Sequence, residues 1–197
     1  VPDAGEIRFQ DRRLHLRSPH DALQAGISMI HQELMPFPDL TVAENLLMGR
    51  EPTSRLAGWI DRRAMNRQAA DWLEKLGLPL SPMTRMSDLS VAEMQIVEIA
   101  KALARRAGII IMDEPSSALS EREVDRLLEV IRDLKDQGVV VIYVSHRLDE
   151  VFRIADTVSV LRDGRHIATH PINAVDPDRL VALMVGRPLN AHARQTR

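Results

Sequence analysis

Two adjacent carboxylates, Asp113 and Glu114, follow directly on the apolar run Ile109-Ile110-Ile111-Met112 and precede Pro115. A continuous apolar run of this length has the composition of a strand buried on both faces of a parallel sheet. Such strands carry their ligand-binding residues at the C-terminal end, and Pro115 forbids further ladder bonding beyond the acidic pair. A second run, Val139 to Val144, reads the same way and ends at Ser145-His146-Arg147; a third, Ile27 to Ile30, ends at His31-Gln32-Glu33. Between the first two runs a helical period (Val124, Leu127, Leu128, Ile131, Leu134) closes at Gly138. Strand, helix and strand in this order predict a right-handed parallel crossover that sets Asp113, Glu114 and His146 at one sheet edge. A lone His or Gln after a strand is ordinarily a turn residue, so the information lies in the convergence.

A helix must lead into the acidic strand. Ser90 stands three residues before Glu93, a capping box, and Val91, Met94, Val97, Ala100 and Leu103 then mark one helical face. A helix N-terminus attracts anions, and Ser90 stands at this one. Glu93 opposes that unless it is occupied as the capping partner, and the plainer reading is that Ser90 and Glu93 only cap the helix. Ser120 and Glu123 form another box at the start of the crossover helix.

The remaining elements follow from local signals. Residues 5–9 and 14–16 alternate around Gln10-Asp11-Arg12-Arg13 and predict a hairpin with one buried face. Ser18-Pro19 with Asp21 opens a short helix that Gly26 closes, Thr41 with Glu44 opens another, and Asp61 caps a longer one ended by Gly77. In the longer helix Met65, Ala69, Trp72, Leu73 and Leu76 recur at helical spacing, which is packing. Asp163-Gly164 joins two strands, 157–161 and 165–169, and Pro177 starts a last helix through Val185, ended by Gly186 and Pro188. The polar tail from Asn190 to Arg197 is expected to be disordered.

Composition bounds the class. The chain has 197 residues, 45% hydrophobic, with a net charge of -2 and no cysteine. The balance gives no general attraction to nucleic acid, and the absence of cysteine fits a reducing compartment. No apolar run approaches the roughly 18 residues that span a bilayer, so any membrane role is expected to come through a partner.

At Ile109–Glu114 the sequence resembles the nucleotide-binding subunit of ABC transporters: the run and Asp113-Glu114 are similar to its Walker B strand and catalytic glutamate, and Leu89-Ser90-Val91-Ala92-Glu93 occupies the place of its signature motif. The resemblance extends over nearly the whole chain. VEIAKAL, SHRLDEVFRIAD and MVGRPL resemble the first half of monosaccharide-importer ATPases, of the ribose and xylose type. It implies an α/β fold of the P-loop NTPase type, a parallel sheet flanked by helices with an N-terminal antiparallel hairpin. The expected division is a core of 1–38 and 89–189, an inserted helical subdomain at 39–88, and a tail at 190–197.

The resemblance also implies roles. ATP and Mg²⁺ are the expected cofactors, with Asp113 and Gln32 at the metal, Glu114 polarising the attacking water and His146 at the γ-phosphate. Ser90, Val91, Ala92 and Glu93 would meet the nucleotide held by a second nucleotide-binding half or subunit, and Ser120 stands where the family's D-loop has Asp. Val91 and Ala92 replace two glycines of the familiar signature, and Glu93 replaces its glutamine. The helical subdomain and Gln32 would receive a membrane permease, with apolar residues near Phe37 and Leu40 suited to the contact. A periplasmic sugar-binding protein would be an indirect partner, and the location the cytoplasmic face of the inner membrane.

No G-x-x-x-x-G-K-[ST] sequence occurs in the 197 residues, so the phosphate cradle of the Walker A element is not among them. The expectation is a core lacking its P-loop strand and helix, as if the chain began just past them, and unable to bind ATP alone. Two other functions fit the pattern less well. A non-catalytic interaction module would not need Gln32, Glu114 and His146 together, and a non-transporter ABC ATPase would show a basic cluster, a coiled-coil insertion or zinc ligands.

Overall fold

The computed structural model describes residues 4–32, 35–54 and 58–186. They form two units, divided between Val144 and Ser145.

The first unit opens with a hairpin, β1 (Ile7–Phe9) and β2 (Arg12–Leu14), in antiparallel register from Ile7 opposite Leu14 to Phe9 opposite Arg12. Its turn is only Gln10-Asp11, both at positive φ, so the second strand starts two residues earlier than the alternation suggests. The expected buried face is only partly so: Phe9 and Leu14 are half-buried, and the other strand residues are exposed. Ser18 then caps α1 (Pro19–Gln24), where Asp21 answers with a bond from the Ser18 N–H at 3.0 Å.

Three parallel strands follow, in spatial order β3 (Ile27–Ile30), β4 (Ile109–Asp113), β5 (Val140–Val144). Ile27, Ile109 and Val140 share one level, and Asp113 pairs with Val144 at the C-terminal rim. Ser28, Ile30, Ile110 and Met112 point to the buried face. The opposite face differs from the expectation of strands buried on both sides. Met29, Val140, Ile142 and Val144 are exposed there, Ile142 at 47%, and Ile27, Ile109 and Ile111 are half-buried. Composition alone could not reveal this, because an all-apolar run carries no alternation to say which face is covered.

Helices supply the core. α2 (Val42–Leu47) is buried at five of its six positions, between α3 (Arg62–Lys75) and α4 (Val91–Ala104). Of the expected stripe, Met65, Ala69, Leu73 and Leu76 are buried as packing predicts, while Trp72 is half-buried. A single 3-10 turn, Met86–Asp88, leads to Ser90, the N-cap of α4. α5 (Glu121–Asp136) links β4 to β5 and buries Val124, Leu127, Leu128, Val130, Ile131 and Leu134. These large aliphatic side chains each contribute about 1.5–3 kcal/mol on burial.

The second unit holds α6 (Leu148–Ile154), the antiparallel pair β6 (Thr157–Arg162) and β7 (Arg165–Pro171), and α7 (Pro177–Val185). Asp163 and Gly164 both have positive φ, the turn that this dipeptide favours. Its core is Val160, Val175 and Leu180, with Phe152, Ile167 and Met184 packed on it. α6 was not expected from the sequence; its N-cap, Arg147, makes no side-chain cap bond. Gly186 ends α7 in the left-handed region, as expected, while Pro188 and the tail from Asn190 lie outside the described residues.

Candidate functional site

The C-terminal rim of the three-stranded sheet is where this chain concentrates polar groups on a rigid support. Asp113 is the last residue of β4, half-buried and fixed by pairing with Val144. Glu114 leaves the strand at φ 44, the left-handed region, although a residue before proline is ordinarily extended. Its N–H still donates to the Val144 carbonyl at 2.9 Å, and its carbonyl accepts from the Ser117 N–H at 3.2 Å. Pro115 thus sits second in a tight turn, a position its fixed φ suits, and the backbone of Glu114 is held from both sides. Strain of this kind costs about 1–3 kcal/mol and persists only where surrounding bonds impose it.

Gln32 lies two residues beyond the end of β3, the strand adjacent to β4, and is exposed. Ile30 pairs with Met112, so the chain after β3 leaves the sheet at the level of Asp113 and Glu114. Adjacent strands lie about 4.8 Å apart. The first unit therefore brings Asp113, Glu114 and Gln32 to one rim. His146 is the second residue of the second unit, two positions after β5 ends, and is not counted in this cluster.

A carboxylate and a side-chain amide are hard oxygen donors, the chemistry that Mg²⁺ prefers, and two protein ligands suffice for an ion that keeps most of its water. Among the described residues no group of three or more His, Cys, Asp or Glu could hold a metal by itself. The donor set thus fits a cation shared with a phosphate-bearing ligand and not a cage built by protein alone.

The helix starts behave differently from a bare anion site. At α4 the Ser90 N–H donates to Glu93 Oε2 at 2.8 Å, and Ser90 Oγ accepts from the Glu93 N–H at 3.3 Å. Glu93 is occupied as the capping partner. Ser90 and Val91 remain exposed and Ala92 turns inward. At α5 both the N–H and the hydroxyl of Ser120 go to Glu123, at 2.9 and 2.7 Å. These bonds, the hydroxyl's first, hold the Glu123 carboxyl below its usual range. The Ser120 hydroxyl proton is therefore committed within its own helix.

The helical segment adds a surface. Phe37 is 50% exposed and Leu40 half-buried, and Met35 and Met83 are exposed as well. The sequence reading passes over Asn45, which lies buried inside α2 and bonds the Phe37 backbone. Its signal was available: asparagine is a poor helix former, and in a short apolar helix it needs a partner.

Comparison with known proteins gives three kinds of likeness. A family described as ABC transporter matches residues 1–117. The ribose import ATP-binding protein RbsA of Rhodopirellula baltica is 48% identical over 195 residues, 99% of this chain and 38% of the relative. The galactose/methyl galactoside import ATP-binding protein MglA 1 of Photobacterium profundum is 48% identical over 187 residues, 95% of this chain and again 38% of the relative. The chain thus spans well under half the length of these curated relatives. Among solved structures, an ATP-binding cassette of an ABC transporter superposes with a TM-score of 0.78 at 27% identity, covering 93% of this chain and 76% of that one. A nucleotide-free cassette gives 0.75 at 27%, covering 90% and 76%.

Proposed function

The chain belongs to the ABC transporter family, and from that premise we propose that it is part of an ATP-hydrolysing subunit that energises sugar import. One observation carries the reading: Glu114 is held in strained backbone beside Asp113, at the rim that Gln32 also reaches. Stored strain at an acidic turn is a cost that folding alone does not require. The sugar enters only through the names of the relatives, which import ribose or galactose.

In this reading Asp113, through the ion's water shell, and Gln32 would hold Mg²⁺, which would supply charge neutralisation for the triphosphate. Glu114 accepts a hydrogen bond from the attacking water and orients it, and His146, two residues past β5, contacts the γ-phosphate. Ser90, with the N–H groups of Val91 and Ala92 at the start of α4 beside the capping Glu93, meets a nucleotide held by a second nucleotide-binding half, and Ser120 lines the same interface. Residues 39–88 form the helical lobe on which a membrane permease docks, beside Gln32. The subunit is peripheral to the cytoplasmic face of the membrane; no helix among the described residues is long and apolar enough to cross it.

The 197 residues contain no phosphate-cradle sequence, and we infer that they bind ATP weakly without one. The apolar face on which Met29, Val140, Ile142 and Val144 stand exposed supports the same view, because its chemistry is that of a surface that further chain would cover. The test is hydrolysis by a full-length subunit carrying this sequence. Glu114→Gln should lower its turnover about 10²–10⁴-fold, the usual loss for a water-orienting carboxylate. Unchanged turnover would remove Glu114 from the mechanism.

A further inference from the structure

α6 opens unlike the other helices. Of the seven α-helices among the described residues, six begin at a Ser, Thr or Asp, whose side-chain oxygen can accept a free N–H; α6 begins at Arg147, whose side chain has no acceptor. A cation there also faces the positive end of the helix dipole. In the four capping boxes the acid three residues on, Asp21, Glu44, Glu93 or Glu123, is partly exposed and accepts from the N–H of the cap. Glu150 holds the same position in α6, but it is fully buried, and its Oε1 lies 3.0 Å from Arg147 Nε. The acid of the box is thus present without the hydroxyl, and its partner is a guanidinium.

Taking a carboxylate wholly out of water is costly, and pairing offsets that cost only in a close geometry, so a buried pair selects one arrangement more than it stabilises the fold. The arrangement selected here includes His146. Arg147 is held at three points: its side chain by Glu150, its N–H by Ser145 Oγ at 3.0 Å, and its carbonyl by the Val151 N–H at 3.3 Å. α6 in turn is seated on the core of its unit through Leu148 and Phe152. The exposed His146 therefore stands between two residues that are bonded to each other, next to a peptide whose N–H is fixed.

Resting on the reading above that His146 contacts the γ-phosphate, we propose that Glu150 is a positioning residue for hydrolysis. Through Arg147 it fixes the Ser145–His146–Arg147 turn, so that the imidazole is presented in one orientation before the nucleotide arrives.

The experiment uses the full-length subunit and reads two quantities, the kcat and KM of ATP hydrolysis and the urea midpoint. Glu150→Gln keeps the shape of the side chain and removes its charge; it should lower kcat about tenfold or more with KM nearly unchanged, and lower the midpoint as well. Arg147→Met combined with Glu150→Leu then separates positioning from stability, because apolar side chains of similar volume commonly restore what a broken buried pair loses. In that double variant the midpoint should return to the parent value while kcat stays about tenfold or more below it. The double variant carries the test by itself should Glu150→Gln fail to fold. Because Glu150 acts through the imidazole, Glu150→Gln combined with His146→Ala should hydrolyse ATP no more slowly than His146→Ala alone. Unchanged kcat in Glu150→Gln, a kcat that recovers together with the midpoint in the apolar pair, or losses that multiply in the His146 combination would each overturn the proposal. A parent subunit without hydrolysis, or parent turnover in His146→Ala, would instead refute the broader reading and the proposal with it, before any Glu150 variant is made.

Discussion

Five non-glycine residues among those described have positive φ, and four have ordinary reasons. Gln10, Asp11 and Asp163 sit in two-residue hairpin turns, where such angles match strand twist. Arg106 ends α4, with its N–H on the Leu103 carbonyl and the Ala107 N–H on the Ala102 carbonyl, the bond pattern of a left-handed helix end. Glu114 has neither excuse. Replacing it separates strain from side-chain chemistry: Glu114→Ala keeps a Cβ in the left-handed region, and Glu114→Gly does not. We expect the Gly variant to be more stable than the Ala variant by about 1 kcal/mol in urea denaturation of the full-length subunit, with both unable to hydrolyse ATP. Equal midpoints would mean that the turn stores no strain. The acidic pair itself was legible in the sequence because residue types are. The angle was not, since nothing in Glu-Pro announces a left-handed glutamate.

Helix starts were read correctly for a physical reason: a cap is a bond between residues three apart, so the whole interaction lies in one short string. Ser18, Thr41, Asp61 and Ser90 each accept from the N–H three residues on, as their sequences predict, and in the structure Asp176 does the same ahead of Pro177. Three capping carboxyls titrate below their usual range. Asp21 is lowered first by the Arg17 N–H, Glu44 by the Thr41 N–H, and Glu123 by the Ser120 hydroxyl. A depressed folded-state pKa gives stability that is fully present above the unfolded value, 4.5 for the two glutamates, and is lost as pH falls through the lower folded value. The contribution of these carboxyls to the urea midpoint should therefore be constant above that pH and fall below it, and Glu44→Gln should make the acid limb shallower. A variant with an undiminished acid limb would show that the Thr41–Glu44 pair does not report folding. What local strings could not supply was tertiary. α6 lacks a side-chain cap at Arg147 and so gave no start signal, and β2 began early because Gln10 and Asp11 turn without glycine.

The parallel order of three strands and the position of the rim followed from the succession of strand, helix and strand, but how the sheet is covered did not. Met29, Val140, Ile142 and Val144 share one face and stand in solvent, β5 at the edge of its sheet. An edge strand with an apolar face invites pairing with other chains. Two environments for one residue give a decisive comparison at Ile142. In the 197-residue chain Ile142→Lys replaces an exposed side chain, so stability should stay within about 0.5 kcal/mol while self-association, followed by sedimentation velocity, declines. In the full-length subunit, where we propose that a further strand and helix cover this face, the same lysine would be buried without a partner and should cost about 3 kcal/mol or more. The difference between the two measurements, and not either value alone, reports whether the face is covered. Equal small costs in both would show that Ile142 stays in solvent in the full-length subunit, and the proposed cradle would then have to be sought elsewhere than on this sheet.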